Sequence, residues 1–185
     1  RRRGKGHALE WAIPRVLASG ADAVVVLDAD CTIDRHALRT FNQYLLAGQQ
    51  VLQANDVTSN ADAGVTGYVA AVANHLENDY FYAPKSRLGL SVFLRGTGMV
   101  FSRTVLRRHP WRAHSIVEDS AYSLTLLRGG VAIRFVESVC VRSESPMRQE
   151  HLQVQRSRWV GGNVRFALAN ALPLLWEGVR LRRPV

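Results

Sequence analysis

The chain has 185 residues, 47% hydrophobic and 21% charged, which is enough to bury one good core and too few for two large ones. Its two cysteines, Cys31 and Cys140, form no CxxC pair and have no histidine at ligand spacing, so neither a disulfide framework nor a zinc site is expected, and a reducing, cytoplasmic setting fits. The formal charge of +9, clustered at residues 1–5 and at Arg180, Arg182 and Arg183, suits anionic partners without choosing among diphosphates, lipid headgroups and nucleic acid.

The sequence opens Arg1-Arg2-Arg3-Gly4-Lys5, with no initiator Met and no apolar run behind it. No secretory signal is expected there, and the chain reads as one that starts inside a longer protein. Ala8, Leu9, Ala12, Ile13, Val16 and Leu17 recur at helical spacing, with Pro14 expected to kink or split the helix. An apolar, β-branched run at 24–27 predicts a strand, followed by a helix over 37–46.

A second strand is expected at 50–54, then a turn-rich loop at 55–64. The next helix, over 64–82, carries Val65, Tyr68, Val69, Val72 and Leu76 on one stripe, which predicts a core-facing side. Two short strands, 91–94 and 99–102, are joined at Arg95-Gly96-Thr97-Gly98, where the glycines permit close backbone approach. A loop at 111–117 leads into a helix at 118–127, stopped by Gly129-Gly130.

Strands follow at 132–136 and 139–142, then a helical pattern over 149–176 that Gly161-Gly162 and Pro173 are expected to break. Strands alternating with helices argue an α/β sheet. The last apolar segment falls short of the roughly 20 residues of a membrane-spanning helix. Residues 164–185 are expected either to lie at a membrane surface, their arginines facing lipid phosphates, or to pack as a terminal helix.

Three constellations carry chemistry. Asp28-Ala29-Asp30 ends the first strand, at the edge where open α/β sheets bind ligands, and extended geometry would send both carboxylates to one side. Mg²⁺ or Mn²⁺ needs only one or two carboxylates plus substrate phosphate oxygens, although a strand ending in Asp-x-Asp also reads as a turn or cap. Glu118-Asp119 opens a helix, where acids equally serve the macrodipole. On a helix, Gln155 and Arg158 share a face beside Trp159, offering a guanidinium for a diphosphate and an indole for a sugar ring.

Their order along the chain resembles the processive-type family 2 glycosyltransferases, the cellulose, chitin and hyaluronan synthases and related enzymes. That pattern runs through Gly4-Lys5, Asp28-Ala29-Asp30, Gly96-Thr97-Gly98, Glu118-Asp119 and Gln155 with Arg158-Trp159, spanning nearly the whole sequence. The resemblance implies a GT-A fold, a mostly parallel sheet flanked by helices, truncated at its N-terminal nucleoside-binding unit. It makes residues 1–185 a single partial catalytic domain, expected to bind nucleotide poorly and to be inactive alone.

By the same resemblance, Asp28 and Asp30 hold the metal and diphosphate, and Lys5, Gln155 and Arg158 support the donor. Asp119 is the general base. Gly96, Thr97, Gly98, Glu118 and Trp159 border the acceptor. The implied reaction is inverting transfer from a nucleoside-diphosphate sugar, UDP-sugar favoured, to a carbohydrate or lipid-linked hydroxyl in polysaccharide or glycolipid synthesis. The intact protein is expected at the cytoplasmic face of a membrane.

Two other readings compete. A sugar-nucleotide nucleotidyltransferase would release pyrophosphate instead of a nucleoside diphosphate. A basic nucleic-acid-binding domain would account for the charge, but the arginines do not interleave with aromatics along one groove, so no nucleic-acid partner is expected. His7, His36, His75, His109, His114 and His151 are scattered without ligand spacing, and none is assigned to a metal.

Overall fold

The computed structural model describes residues 4–146 and 149–181; for residues 149–156, 158, 159 and 181 it describes the backbone alone. The elements run α1 (Lys5–Ala18), β1 (Ala23–Val26), β2 (Thr32–Ile33), α2 (Ala37–Leu46), β3 (Val51–Thr58), α3 (Val65–Glu77), α4 (Ala83–Arg87), β4 (Met99–Ser102), α5 (Arg103–Arg108), α6 (Glu118–Arg128), β5 (Ile133–Ser143) and α7 (Gln149–Leu181). A π-helical turn, Asn78–Tyr82, joins α3 to α4.

The five strands make one sheet in the order β1-β4-β3-β5-β2. Among the described residues, only β3 and β5 pair in parallel; β1 with β4, β3 with β4, and β2 with β5 are antiparallel. The expectation of a mostly parallel sheet is therefore corrected to a mixed α/β sheet. The reason is local: β4 enters from the loop at 95–98 rather than from a crossover helix, so it runs against both of its neighbours.

Residues on the sheet alternate between two cores. Val51, Met99, Phe101, Ile133 and Phe135 face one cluster, which also receives Trp111, Tyr122 and Leu126. Leu52, Ala54, Val100, Val136 and Val141 face the other, covered by Ala37 and Phe41 of α2. The period of two produces this division, and it fixes register because a one-residue slip would exchange the faces. β5 keeps its apolar residues inward past a bulge: Val136 pairs with Ala54, but Cys140 pairs with Asn55.

Gln53 is a buried polar side chain within this apolar pattern. Fully buried in β3, it accepts from Arg95 N–H at 2.9 Å and donates to the Thr97 carbonyl at 2.9 Å. Nothing in the sequence singled it out. Its amide satisfies backbone groups on both sides of Gly96, which, left unpaired, would each cost about 1–3 kcal/mol.

Several local expectations change. Residues 91–94 form no regular strand, although Val92 N–H bonds to the Ile133 carbonyl at 3.1 Å. β3 continues through 55–58, where a loop was expected. Pro14 lies within an unbroken α1, while Gly161, Gly162 and Pro173 lie within a continuous α7.

The stripe on α3 does not face the core: Val65 is 81% exposed and Leu76 54%. The helical period was right and the buried side wrong, because α3 packs through small and polar positions. Gly67 meets the Asn60 carbonyl, and Asn74 donates to Thr58 Oγ1 at 3.2 Å. No helix among the described residues is long and apolar enough to cross a membrane.

Candidate active site

An open cleft of about 870 Å³ lies at the end of β1, bounded by the 95–98 loop, the start of α6, and faces of α3 and α7. Lys5, Asp28, Asp30, Gly96, Thr97 and Asp119, which the sequence places in separate motifs, all line it. Glu118 lines it too. The side chains of Gln155, Arg158 and Trp159 lie outside the described residues; their backbone is part of α7.

The cleft is assembled around Lys5. Its ammonium donates to Asp28 Oδ1 and to the Gly96 carbonyl, the latter at 2.8 Å, so the first turn of α1 is fastened to both the strand end and the loop. Asp28 N–H donates to Thr97 Oγ1 at 3.2 Å, a second tie between the same segments. The Thr97 hydroxyl in turn donates to Cys31 Sγ at 3.5 Å.

Asp28 and Asp30 do not converge through an extended strand, as expected, but through a turn closed by Cys31 N–H bonding to the Asp28 carbonyl at 3.1 Å. The turn still gathers the donor atoms of Asp28, Asp30 and Cys31 to within 4.8 Å of one another. Two carboxylates at a cleft wall fit a hard divalent cation, which prefers oxygen and leaves open positions for phosphate and water. Acidic side chains also outnumber basic ones on the lining, although the chain as a whole carries +9, so an anionic ligand here would need cationic company.

Gly96 and Gly98 hold the loop at φ +86° and +64°, in the left-handed region that favours glycine. At Gly98 a Cβ would lie 2.9 Å from both Ala54 Cβ and Val141 Cγ2, so the loop also presses directly on the sheet. A Cβ on Gly96 would stand 3.5 Å from Asp119 Oδ2 and 3.7 Å from Lys5 Nζ. The missing side chain thus leaves the acid and the ammonium facing a common space.

Asp119 is positioned from its own helix and from the loop. Its Oδ1 accepts from Ser120 N–H at 2.7 Å. Ser123, fully buried, donates to the Asp119 carbonyl at 2.8 Å and accepts from Leu94 N–H at 2.8 Å, which fixes α6 against the segment entering the loop. Burial raises the Asp119 pKa above the ordinary carboxylate value, against the opposing pull of Lys5 and Arg95. Glu118 is raised as well, first by burial and then by the neighbouring Asp119.

Arg95 was passed over in the sequence except as part of the loop, yet it builds one wall. Its guanidinium donates to Asn78 Oδ1 at 2.5 Å and pairs with Glu77 at 3.2 Å and Asp56 at 3.6 Å. Asp56 is raised by burial, with Arg95 opposing. The π-helical turn aims Asn78 inward, and no periodicity signal in the sequence foretells it.

The elevated Asp119 has a stability consequence. Folding takes up a proton between its ordinary and its raised pKa, and above the raised value the ionised group weighs against the folded state. Asp119→Asn is expected to raise the thermal midpoint at neutral pH. Below the ordinary carboxylate range, where both states are protonated, it should give no gain. Thermal melts across pH check this, and an unchanged or lowered midpoint at neutral pH contradicts the assigned environment.

Comparison with curated proteins gives no significant match. The family model described as "Glycosyl transferase family group 2" matches residues 23–183, most of the chain, and its span takes in the Asp28-Ala29-Asp30 turn, the 95–98 loop and the Glu118-Asp119 helix start. With this match over a mixed α/β sheet whose strand-end carboxylates open on a cleft, the chain belongs to glycosyl transferase family group 2.

Proposed function

We propose that the chain carries the catalytic cleft of an inverting, metal-assisted sugar transfer from a nucleoside-diphosphate sugar to an acceptor hydroxyl, in the manner of the processive family 2 synthases. The observation that carries the reading is the convergence of Lys5, Asp28 and Asp119 around Gly96, three charged groups from distant segments sharing one open space.

Asp28 and Asp30 would hold Mg²⁺ or Mn²⁺, which when bound supplies positive charge to the diphosphate. Lys5 adds a fixed ammonium at the same wall. Asp119 takes the acceptor hydroxyl proton as that oxygen attacks the anomeric carbon and the carbon–diphosphate bond breaks on the opposite face. A carboxylate whose pKa burial has raised is a better base than an exposed one. Gly96 leaves room for the acceptor beside that base, with Glu118 on the same wall, while Gly98 turns toward the sheet and is assigned to the acceptor by motif alone. Gln155, Arg158 and Trp159 are assigned to donor and acceptor by motif alone.

UDP-sugar is the favoured donor and a carbohydrate or lipid-linked acceptor the favoured partner, both by family resemblance. In an assay of the intact reading frame, the reading predicts release of free nucleoside diphosphate; pyrophosphate would instead support the nucleotidyltransferase alternative. Asp119→Asn should lower transfer by about 10²–10⁴-fold while nucleotide-sugar binding survives. Transfer at the wild-type rate would overturn the assignment of the base.

We also propose that α7 rests on a membrane surface at residues 164–181. Val164, Leu168, Leu172, Leu175 and Val179 form an exposed apolar stripe, with Leu168 77% and Leu172 76% exposed and Trp176 and Arg165 at its edges. Flotation with anionic vesicles should carry the wild-type chain, and Leu168→Glu with Leu172→Glu should release it. Equal flotation of the two would contradict docking through this stripe.

A further inference from the structure

The start of α1 meets residues 109–117 backbone to backbone. Gly6 makes this possible, because a Cβ there would fall 2.1 Å from the Ala113 carbonyl oxygen. The contact brings His7 beside His114, their rings 4.2 Å apart and tilted by 21°. Glu10, three residues along the same helix face from His7, places Oε2 at 2.9 Å from His114 Nε2 and 3.9 Å from His7 Nδ1. Sequence spacing offers no reason to group these residues, because the partner of His7 lies 107 positions away; the fold brings them together.

His7 Nδ1 is buried and makes no hydrogen bond among the described residues. A buried ring nitrogen in that condition costs about 1–3 kcal/mol, so a partner that occupied the gap would be favoured. The three donor atoms lie within 4.8 Å of one another. Tetrahedral zinc, with bonds of about 2.0–2.2 Å, sets its ligand atoms roughly 3.4 Å apart. Two of the three edges, 2.9 and 3.9 Å, fall on either side of that separation, the shorter being a His114–Glu10 hydrogen bond that a bound ion would replace. Two imidazoles and one carboxylate also select zinc-class metals over Mg²⁺, which prefers an all-oxygen shell.

We infer that His7, Glu10 and His114 form a binding site for a divalent transition metal of the zinc class, distinct from the carboxylates of the cleft. None of the three lines the cleft. The stacked rings do not yet aim both lone pairs at one point, so binding turns one imidazole, and His114, exposed on its segment, is the one that turns. The ion fastens α1, two residues beyond Lys5, to the segment that leads into Glu118 and Asp119. It is a structural clamp on the distance between the cleft's ammonium and its base.

Titration of the chain with Co²⁺ as a zinc surrogate, followed by visible absorption, tests the site. One equivalent should give the intense ligand-field bands of four-coordinate cobalt, and Zn²⁺ should displace it. Replacing an outer-shell partner of a metal typically weakens binding by about 10–100-fold, so losing a direct ligand, as in His7→Ala or His114→Ala, should cost at least about tenfold. Asp30→Asn and Cys31→Ser should keep the bands. Zn²⁺ should raise the thermal midpoint of wild type and not of His114→Ala, whose exposed position makes misfolding a poor alternative explanation once circular dichroism matches. Weak six-coordinate bands, unchanged affinity in both histidine variants, or bands lost in Asp30→Asn would each overturn the site.

Discussion

The cleft depends on one ammonium ion. Lys5 bonds to the Asp28 carboxylate and the Gly96 carbonyl, and the space above Gly96 that it shares with Asp119 is left open by the missing side chain. Without that charge, Asp28, Asp30, Glu118 and Asp119 would face one another across a wall already rich in acids. The burial that raises Asp119 and Glu118 is opposed first by backbone N–H groups at the start of α6 and then by Lys5 and, for Asp119, Arg95. A divalent ion at Asp28 and Asp30, as proposed, would join this balance, sharing Asp28 with Lys5 and adding positive charge for the proposed diphosphate.

Around that charge, the supporting atoms are neutral and buried. Gln53 holds the backbone on both sides of Gly96, Thr97 ties Asp28 to the loop, and Ser123 links α6 to Leu94. Each satisfies groups that would otherwise be orphaned, so the charged residues stand on a polar framework with little freedom. Above this framework the α3 stripe and the α7 stripe stay exposed, which gives the domain two apolar helix faces besides its cleft.

Much of this was legible in the sequence. The strand before Asp28, the helix over 37–46, the strand at 99–102 and the helix opening at Glu118 follow from hydrophobic period and glycine stops. The motif order assembled the charged residues of one cleft without any long-range information. Strand direction was not legible, since apolar alternation in β4 reads the same whichever way the chain runs. The buried side of α3 carries no apolar signal because its contacts use Gly67 and Asn74, continued by Asn78 in the π-helical turn. Gln53, Arg95 and the His7–Glu10–His114 group were hidden for a related reason: their partners are set by tertiary contact, not by spacing.

If Asp28 and Asp30 form a metal-diphosphate site, Mn²⁺ and a nucleoside diphosphate bind there together. Electron paramagnetic resonance of Mn²⁺ added to the protein of the intact reading frame, with and without a nucleoside diphosphate, tests this most directly. The nucleoside diphosphate should tighten Mn²⁺ retention by the wild type, and Asp28→Asn with Asp30→Asn should remove this response. Mn²⁺ affinity indifferent to the nucleoside diphosphate, or an equal response after both carboxylates are removed, would contradict it.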